Sequence, residues 1–323
     1  MIVSSYAAAP ALDGWDPEQE AAFLAAAASL PHVSGLEIPL YATGELHKYD
    51  GDWFLKQLRY LPDHLTYVVT TIPDTMDRLA RSSDFGLAST TEAGRQAAIG
   101  RAAVAAEAVR TLNDALDRRA VRAVHLFSAP RLGAGVPGAS PGVKELTESL
   151  RQAAGFRWDG ARIVLEHCDA AGPSHAPVKG FLRFEQEVEA VLAAGTGAGI
   201  AVNWARSTIE DRDPGAPVRH VELASAEGIL AGVVLSGCSS QATDFGAAWD
   251  DSHLPPAPVE PASVLTPQRI RTLAAAVDAG LNVTGPEPYR GLKISAPQGS
   301  SMSERVALLE ESIDAVRRAG FCR

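Results

Sequence analysis

The chain has 323 residues, 46% of them hydrophobic and 21% charged, the balance of a folded protein with a sizeable core rather than a disordered one. A formal net charge of -10 leaves no basic face to neutralise a run of phosphates, which argues against a nucleic-acid partner. Arginine carries nearly all the positive charge, the lysines being Lys48, Lys56, Lys144, Lys179 and Lys293.

Cys168, Cys238 and Cys322 are far apart and form no CxxC pair, so a reducing compartment is expected and neither a disulfide framework nor a zinc motif is. The opening MIVSSYAAAP has no Lys or Arg ahead of an apolar stretch too short for a signal core, and reads as a first strand. No apolar run approaches the roughly 20 residues needed to span a bilayer. The expected location is the cytoplasm, with no membrane partner.

Short, nearly continuous apolar runs signal buried parallel strands, and each is followed here by a segment of helical spacing. In chain order, strand 2–7 precedes helix 17–29, strand 33–40 helix 52–61, strand 65–71 helix 91–117, and strand 120–128 helix 142–154. Strand 162–168 then precedes helix 181–194, strand 199–204 helix 222–230, strand 232–237 helix 267–279, and strand 291–295 helix 303–319. Thr266-Pro267 marks one helix start and Ser301 with Glu304 a capping box, while Gly195, Gly280 and Gly320 mark helix ends.

Eight strand and helix pairs in strict alternation predict a closed (β/α)8 TIM barrel that uses residues 1–323 as one domain. An open doubly wound sheet is the alternative, but the first βα loop reads AAAPALDGWD and lacks GxGxxG. The Gly-rich 133–142 segment lacks the Lys-Ser/Thr of a P-loop and reads as a lid or loop. Long loops at 41–51 and 239–263 follow the second and seventh strands, on the face where barrels build their sites.

Polar residues at the ends of apolar strands are costly to bury without a purpose, so they are the candidates for chemistry. They are Glu37 in GLEIPL, His125 in AVHLFS, Glu166 and His167 in IVLEHCD, Asn203, Trp204 and Arg206 in AVNWARS, Ser236 in VVLSGCSS, and Lys293 in GLKIS. Strand alternation turns His167 to the side opposite Glu166. Arg206 offers a planar fork for an anionic group, and Trp204 an apolar face for a sugar ring. In the long loops His47, Trp53 and His253 mix aromatic and titratable groups in a way that suits a cover over a polyol. Asp251 and His253 are too close in sequence for a hydrolytic triad, and no GxSxG elbow is present.

IVLEHCD resembles the Glu-bearing fifth strand of the xylose-isomerase-like sugar isomerases and epimerases, and GLEIPL resembles their second strand. That resemblance implies a divalent metal such as Mn, Mg, Zn or Co, held by residues of strands five to eight. It also implies two glutamates exchanging a proton beside a sugar carbonyl. The matching positions here are Glu166, Asn203, Ser236 and Lys293, so Glu166 is the one carboxylate ligand kept, and Lys293 brings a positive charge in place of an acidic group. The expected activity is isomerisation or epimerisation of a sugar or sugar acid. Glu166 would be the base, Glu37 the second carboxylate, and Lys293 or a metal would stabilise the enediolate. Two other readings stay open: a Schiff-base lyase or aldolase using Lys293, and a barrel that binds carbohydrate without turning it over. Homo-oligomerisation is left open too.

Overall fold

The computed structural model describes residues 1–131, 142–172, 174–281 and 287–322; of the Gly-rich 133–142 segment, only Gly142 lies among them. Eight parallel strands close into a barrel in the order β1-β2-β3-β4-β5-β6-β7-β8, which is the (β/α)8 architecture the alternation predicts. They are β1 (Ile2–Ser4), β2 (Gly35–Pro39), β3 (Thr66–Thr70), β4 (Val121–Leu126), β5 (Arg162–Glu166), β6 (Gly199–Asn203), β7 (Leu230–Leu235) and β8 (Tyr289–Leu292). The helices among the described residues are α1 (Pro17–Ser29), α2 (Gly51–Leu58), α3 (Ile72–Arg81), α4 (Glu92–Ala115), α5 (Val143–Ala154), α6 (Phe184–Ala194), α7 (Trp204–Asp211), α8 (Ala216–Ala226), α9 (Pro267–Gly280) and α10 (Met302–Arg318).

Three helices depart from the periodicity reading. The α3 helix fills what reads as a loop, because Pro73 in its first turn starts a short amphipathic stretch directly after β3. The α7 helix begins at Trp204, where the sequence reads as strand, since the Asn203 side chain caps it by accepting from the Arg206 amide. The α8 helix starts at Ala216 rather than near 222, with Pro217 in its first turn. In addition β8 ends at Leu292, which leaves Lys293 one residue beyond the strand.

Chain contacts define two units, Met1–Ile38 with Gln57–Tyr67 and Val202–Arg323, and Pro39–Lys56 with Val68–Ala201. Within the first, β1 pairs with β2 through Ile2↔Gly35, Val3↔Leu36 and Ser4↔Glu37, and with β8 through Ile2↔Gly291 and Val3↔Leu292. The buried Arg305 of α10 ties the loops after β8 and β1 together, donating to the carbonyls of Ser300, Ala8 and Ala9 and pairing with Asp13. Within the second unit β5 pairs with β4 through His125↔Val164 and Leu126↔Leu165, and with β6 through Glu166↔Ala201. There Asp74 of α3 binds Arg78 and Arg101, which in turn donate to the carbonyls of Ala42 and Tyr41 and brace the loop after β2.

Gly35 opens β2 where a Cβ would lie 2.2 Å from the Thr66 carbonyl oxygen and 2.6 Å from Ile2 Cδ1. Backbone cannot yield as a side-chain tip can, so Gly35→Ala is expected to lose about 1–3 kcal/mol of stability. Urea denaturation of the two proteins checks this, with a lower midpoint expected for the variant.

Candidate active site

The end of β5 sets the first half of the site. His125 pairs in register with Val164, so His125, Val164 and Glu166 share one face of the sheet. His125 Nδ1 lies 3.3 Å from Glu166 Oε2, and the side chains are 1% and 0% exposed. The next residue, His167, turns the other way, as alternation requires: its Nδ1 meets Glu187 Oε2 at 2.8 Å and its ring stands edge-on to Phe184, both on α6. Since α6 covers the outside of the sheet, Glu166 is on the inside and His167 is a tie to the helix layer.

That tie extends to the segments on either side. Ser128 Oγ donates to Glu187 Oε1 at 2.5 Å and accepts the Leu182 amide at 3.3 Å. The buried Asp169 carboxylate accepts the amides of Val178 and Lys179, and its carbonyl accepts those of Gly180 and Phe181. The loop after β5 is thereby closed on itself immediately beyond Glu166. Glu187 is the residue that sequence reading missed here. Its signal is a charge on the apolar face of α6, where burial demands a partner.

In the first unit, Lys293 Nζ donates to Glu37 Oε1 at 3.2 Å and stands 4.9 Å from the centre of the Tyr6 ring. The lysine is 0% exposed and the glutamate 5%. Ser4 pairs with Glu37 in the β1 ladder, and its buried Oγ has no hydrogen-bond partner among the described residues. A small side chain at this position lets Lys293 and Glu37 meet from strands on either side of β1. An uncompensated buried hydroxyl costs about 1–3 kcal/mol, a cost with a purpose if a bound molecule supplies the partner.

The long loop after β7 returns to the strand ends through a hydrogen-bonded chain. Arg206 Nε donates to Asp251 Oδ2 at 3.0 Å, Asp251 Oδ1 lies 3.2 Å from His253 Nδ1, and that nitrogen is 2.9 Å from Ser236 Oγ. Gly237 and Leu254 pair across the two ends of this loop, and the His253 carbonyl accepts the Ser295 amide. Serine and aspartate both address Nδ1, whereas a hydrolytic relay needs them on opposite ring nitrogens, so the trio does not make a nucleophile of Ser236. Nor is Cys238 one: burial, then the nearby Asp251, push its thiol up to about 12. Asn203 caps α7, and Trp204 is fully buried at its first position.

His47 is buried in the loop after β2, where Nδ1 accepts the amides of Tyr49 and Asp50 and the ring stacks on Phe54 at 16°. Trp53, half-buried on α2, lies 5.4 Å from it, centre to centre. His47 therefore orders the start of α2. Burial lowers its pKa from 6.5 to about 4, opposed by Asp50.

Glu37, His125 and Glu166 are all buried, the first in one unit and the other two in the other. Within the second unit, the imidazole of His125 and the carboxylate of Glu166 are donors of the kind a divalent ion such as Mn, Co or Zn takes, drawn from β4 and β5 rather than from strands five to eight.

The closed parallel barrel is similar in fold to solved TIM barrels, and the likeness covers nearly the whole chain. A D-tagatose 3-epimerase-like protein matches over 98% of both chains with a TM-score of 0.57 at 17% identity. The D-psicose 3-epimerase of Clostridium cellulolyticum H10, solved with D-tagatose, matches over 99% of both with a TM-score of 0.57 at 13% identity. The chain belongs to the family described as Domain of unknown function (DUF4862), which matches residues 2–308. The uncharacterized protein STM3670 of Salmonella typhimurium is 32% identical over 320 residues, 98% of this chain and 97% of that one.

A neutral folded-state His47 has a sign consequence for stability. Below its unfolded pKa the unfolded chain binds the proton more readily, so its contribution is full above about pH 6.5 and lost as the pH falls towards 4. His47→Asn keeps an acceptor for the two amides without the titration. The stability difference between wild type and variant, from urea melts at pH 4.5 and 7.5, is expected to shift against the wild type at the lower pH.

Proposed function

We propose that this protein is an isomerase or epimerase of a sugar or sugar acid that moves a proton at the carbon next to a carbonyl. The observation that carries the reading is the burial of two charged pairs at strand ends, His125 with Glu166 in one unit and Lys293 with Glu37 in the other. Charged side chains this deep are expensive for stability alone, and buried, paired titratable groups of this kind concentrate where proton transfer occurs. The fold likeness to a D-tagatose 3-epimerase-like protein and to a D-psicose 3-epimerase supports the same class.

Glu166 is the base. It sits on the inner face of β5, beside His125, and would take the proton from a substrate carbon presented at the strand ends. Glu37, held by Lys293, is the second carboxylate of the proton exchange. Lys293 places a fixed positive charge where negative charge develops on the carbonyl oxygen. A divalent ion held by His125 and Glu166 would, when bound, polarise that carbonyl as a Lewis acid. The chain from Arg206 through Asp251 to His253 and Ser236 supplies polar groups for substrate hydroxyls. Catalysis by Lys293 as a Schiff-base nucleophile is the less supported reading, because its ammonium is already engaged by a carboxylate.

The substrate is then a small carbohydrate, and the expected location is the cytoplasm. No helix among the described residues is long and apolar enough to cross a membrane.

Glu166→Gln keeps shape and removes the base. Turnover measured by NMR across a panel of ketoses and sugar acids is expected to fall about 10²–10⁴-fold in the variant. Unchanged turnover refutes the role of Glu166, and a borohydride-trapped adduct on Lys293 favours the lyase.

A further inference from the structure

Between the loop after β2 and α4, the second unit leaves a cavity of about 220 Å³ that shares no residue with the site at the strand ends. We propose that this cavity binds a small organic ammonium ion, taking the ligand's apolar body inside and its charge on Glu45 and Asp52. The walls are of two kinds. Leu46 and Ala108 are buried and Leu55 and Val104 half-buried, while Glu45 and Asp52 are exposed at the rim. An apolar cavity of roughly 150 Å³ is enough to hold benzene, so this one has room for a ring with a short alkyl arm. Mostly apolar walls with a few polar groups at one side are the usual make-up of a small-molecule site.

Charge decides what the arm carries. A Cβ on Gly51 would lie 3.0 Å from Glu45 Cβ and 3.2 Å from its carboxyl carbon, so the Glu45 side chain lies along the glycine backbone, beside Asp52. Among the described residues no cation pairs with either carboxylate. Neither is spent as the cap of α2, because Asp50 Oδ1 accepts the Trp53 amide at 2.8 Å. Glu107, a third carboxylate on the wall, is held by Arg110, which also donates to the Arg157 carbonyl. Lys48 stands over the Tyr49 ring, 5.1 Å from its centre, and Lys56 is exposed on α2. An ammonium therefore meets opposite charge without displacing a partner, and an anion of the same shape meets repulsion.

The wall that carries Glu45 is held in place by the protein itself. The Glu45 carbonyl accepts the Tyr41 amide at 2.9 Å, and the Tyr41 carbonyl accepts from Arg101 at 3.2 Å. Further along the loop, His47 accepts the amides of Tyr49 and Asp50. A loop fixed in this way loses little freedom when a ligand arrives.

The test titrates the full chain with phenethylammonium, with its neutral analogue phenethyl alcohol and with the anionic hydrocinnamate, by isothermal titration calorimetry and saturation-transfer NMR. Phenethylammonium is expected to bind about tenfold or more tighter than the alcohol, and hydrocinnamate more weakly than either. Glu45→Gln combined with Asp52→Asn is expected to bring the ammonium down to the alcohol's affinity and leave the alcohol unchanged. Val104→Trp fills the cavity and is expected to remove binding of both. If that variant does not fold, Thr111→Trp at an exposed position on the same rim takes its place.

An ammonium bound no tighter than the alcohol, or a preference that survives the loss of both carboxylates, overturns the proposal. So does binding that survives the tryptophan variant, since the ligand is then held by the acidic surface at large. Glu166→Gln is expected to bind all three compounds as the wild type does, whatever becomes of the isomerase reading. Loss of binding in that variant puts the ligand at the strand ends and overturns the proposal.

Discussion

Burying charge at the end of an apolar strand is the constraint around which this barrel is arranged. A carboxylate or ammonium taken out of water is tolerated only with a partner of opposite sign or a full set of hydrogen bonds. Lys293 and Glu37 satisfy each other in one unit, and His125 stands against Glu166 in the other. Neither pair is an economical way to fill a barrel. Apolar side chains of the same volume would pack as well without the desolvation cost, which is the physical case for a working site rather than a structural one.

The surrounding structure consists largely of devices that hold these side chains still. His167 and Glu187 bind the outer face of β5 to α6, so the neighbouring Glu166 is turned to the inner face. Asp169 closes the loop that follows, and Asn203 ends β6 by starting α7 within one residue. Arg206 and Asp251 draw the long loop after β7 back until His253 reaches Ser236. Rigid support of this sort is what a proton transfer between fixed groups requires, since small displacements of a base cost rate steeply.

How far all this was legible depends on the kind of information involved. The alternation of apolar runs and helical segments carries the closed barrel, because burial of both strand faces leaves a pattern in every run. Period two separates Glu166 from His167 correctly, and the structure puts α6 on the His167 side. The short helices α3 and α7 are missed because each starts directly at a strand end and is no longer than 10 residues, too short for its periodicity to stand out. Partnerships are less legible still. Glu187 lies 20 residues from His167 and Asp251 45 residues from Arg206, so only the fold brings them together. Ser4 gives no signal beyond a hydroxyl in an apolar strand, and its meaning comes from a buried Oγ with no hydrogen-bond partner among the described residues.

The central claim is that Glu166 exchanges a proton with carbon, and deuterium wash-in tests it most directly. Wild-type protein incubated in D2O with ketoses and ketose-derived acids is followed by NMR at the hydrogens beside the carbonyl. The account predicts deuterium at that carbon in a substrate the protein turns over, and none above background with Glu166→Gln. Wash-in that persists undiminished in Glu166→Gln, or a reaction that leaves that carbon's hydrogen untouched in both proteins, would contradict it.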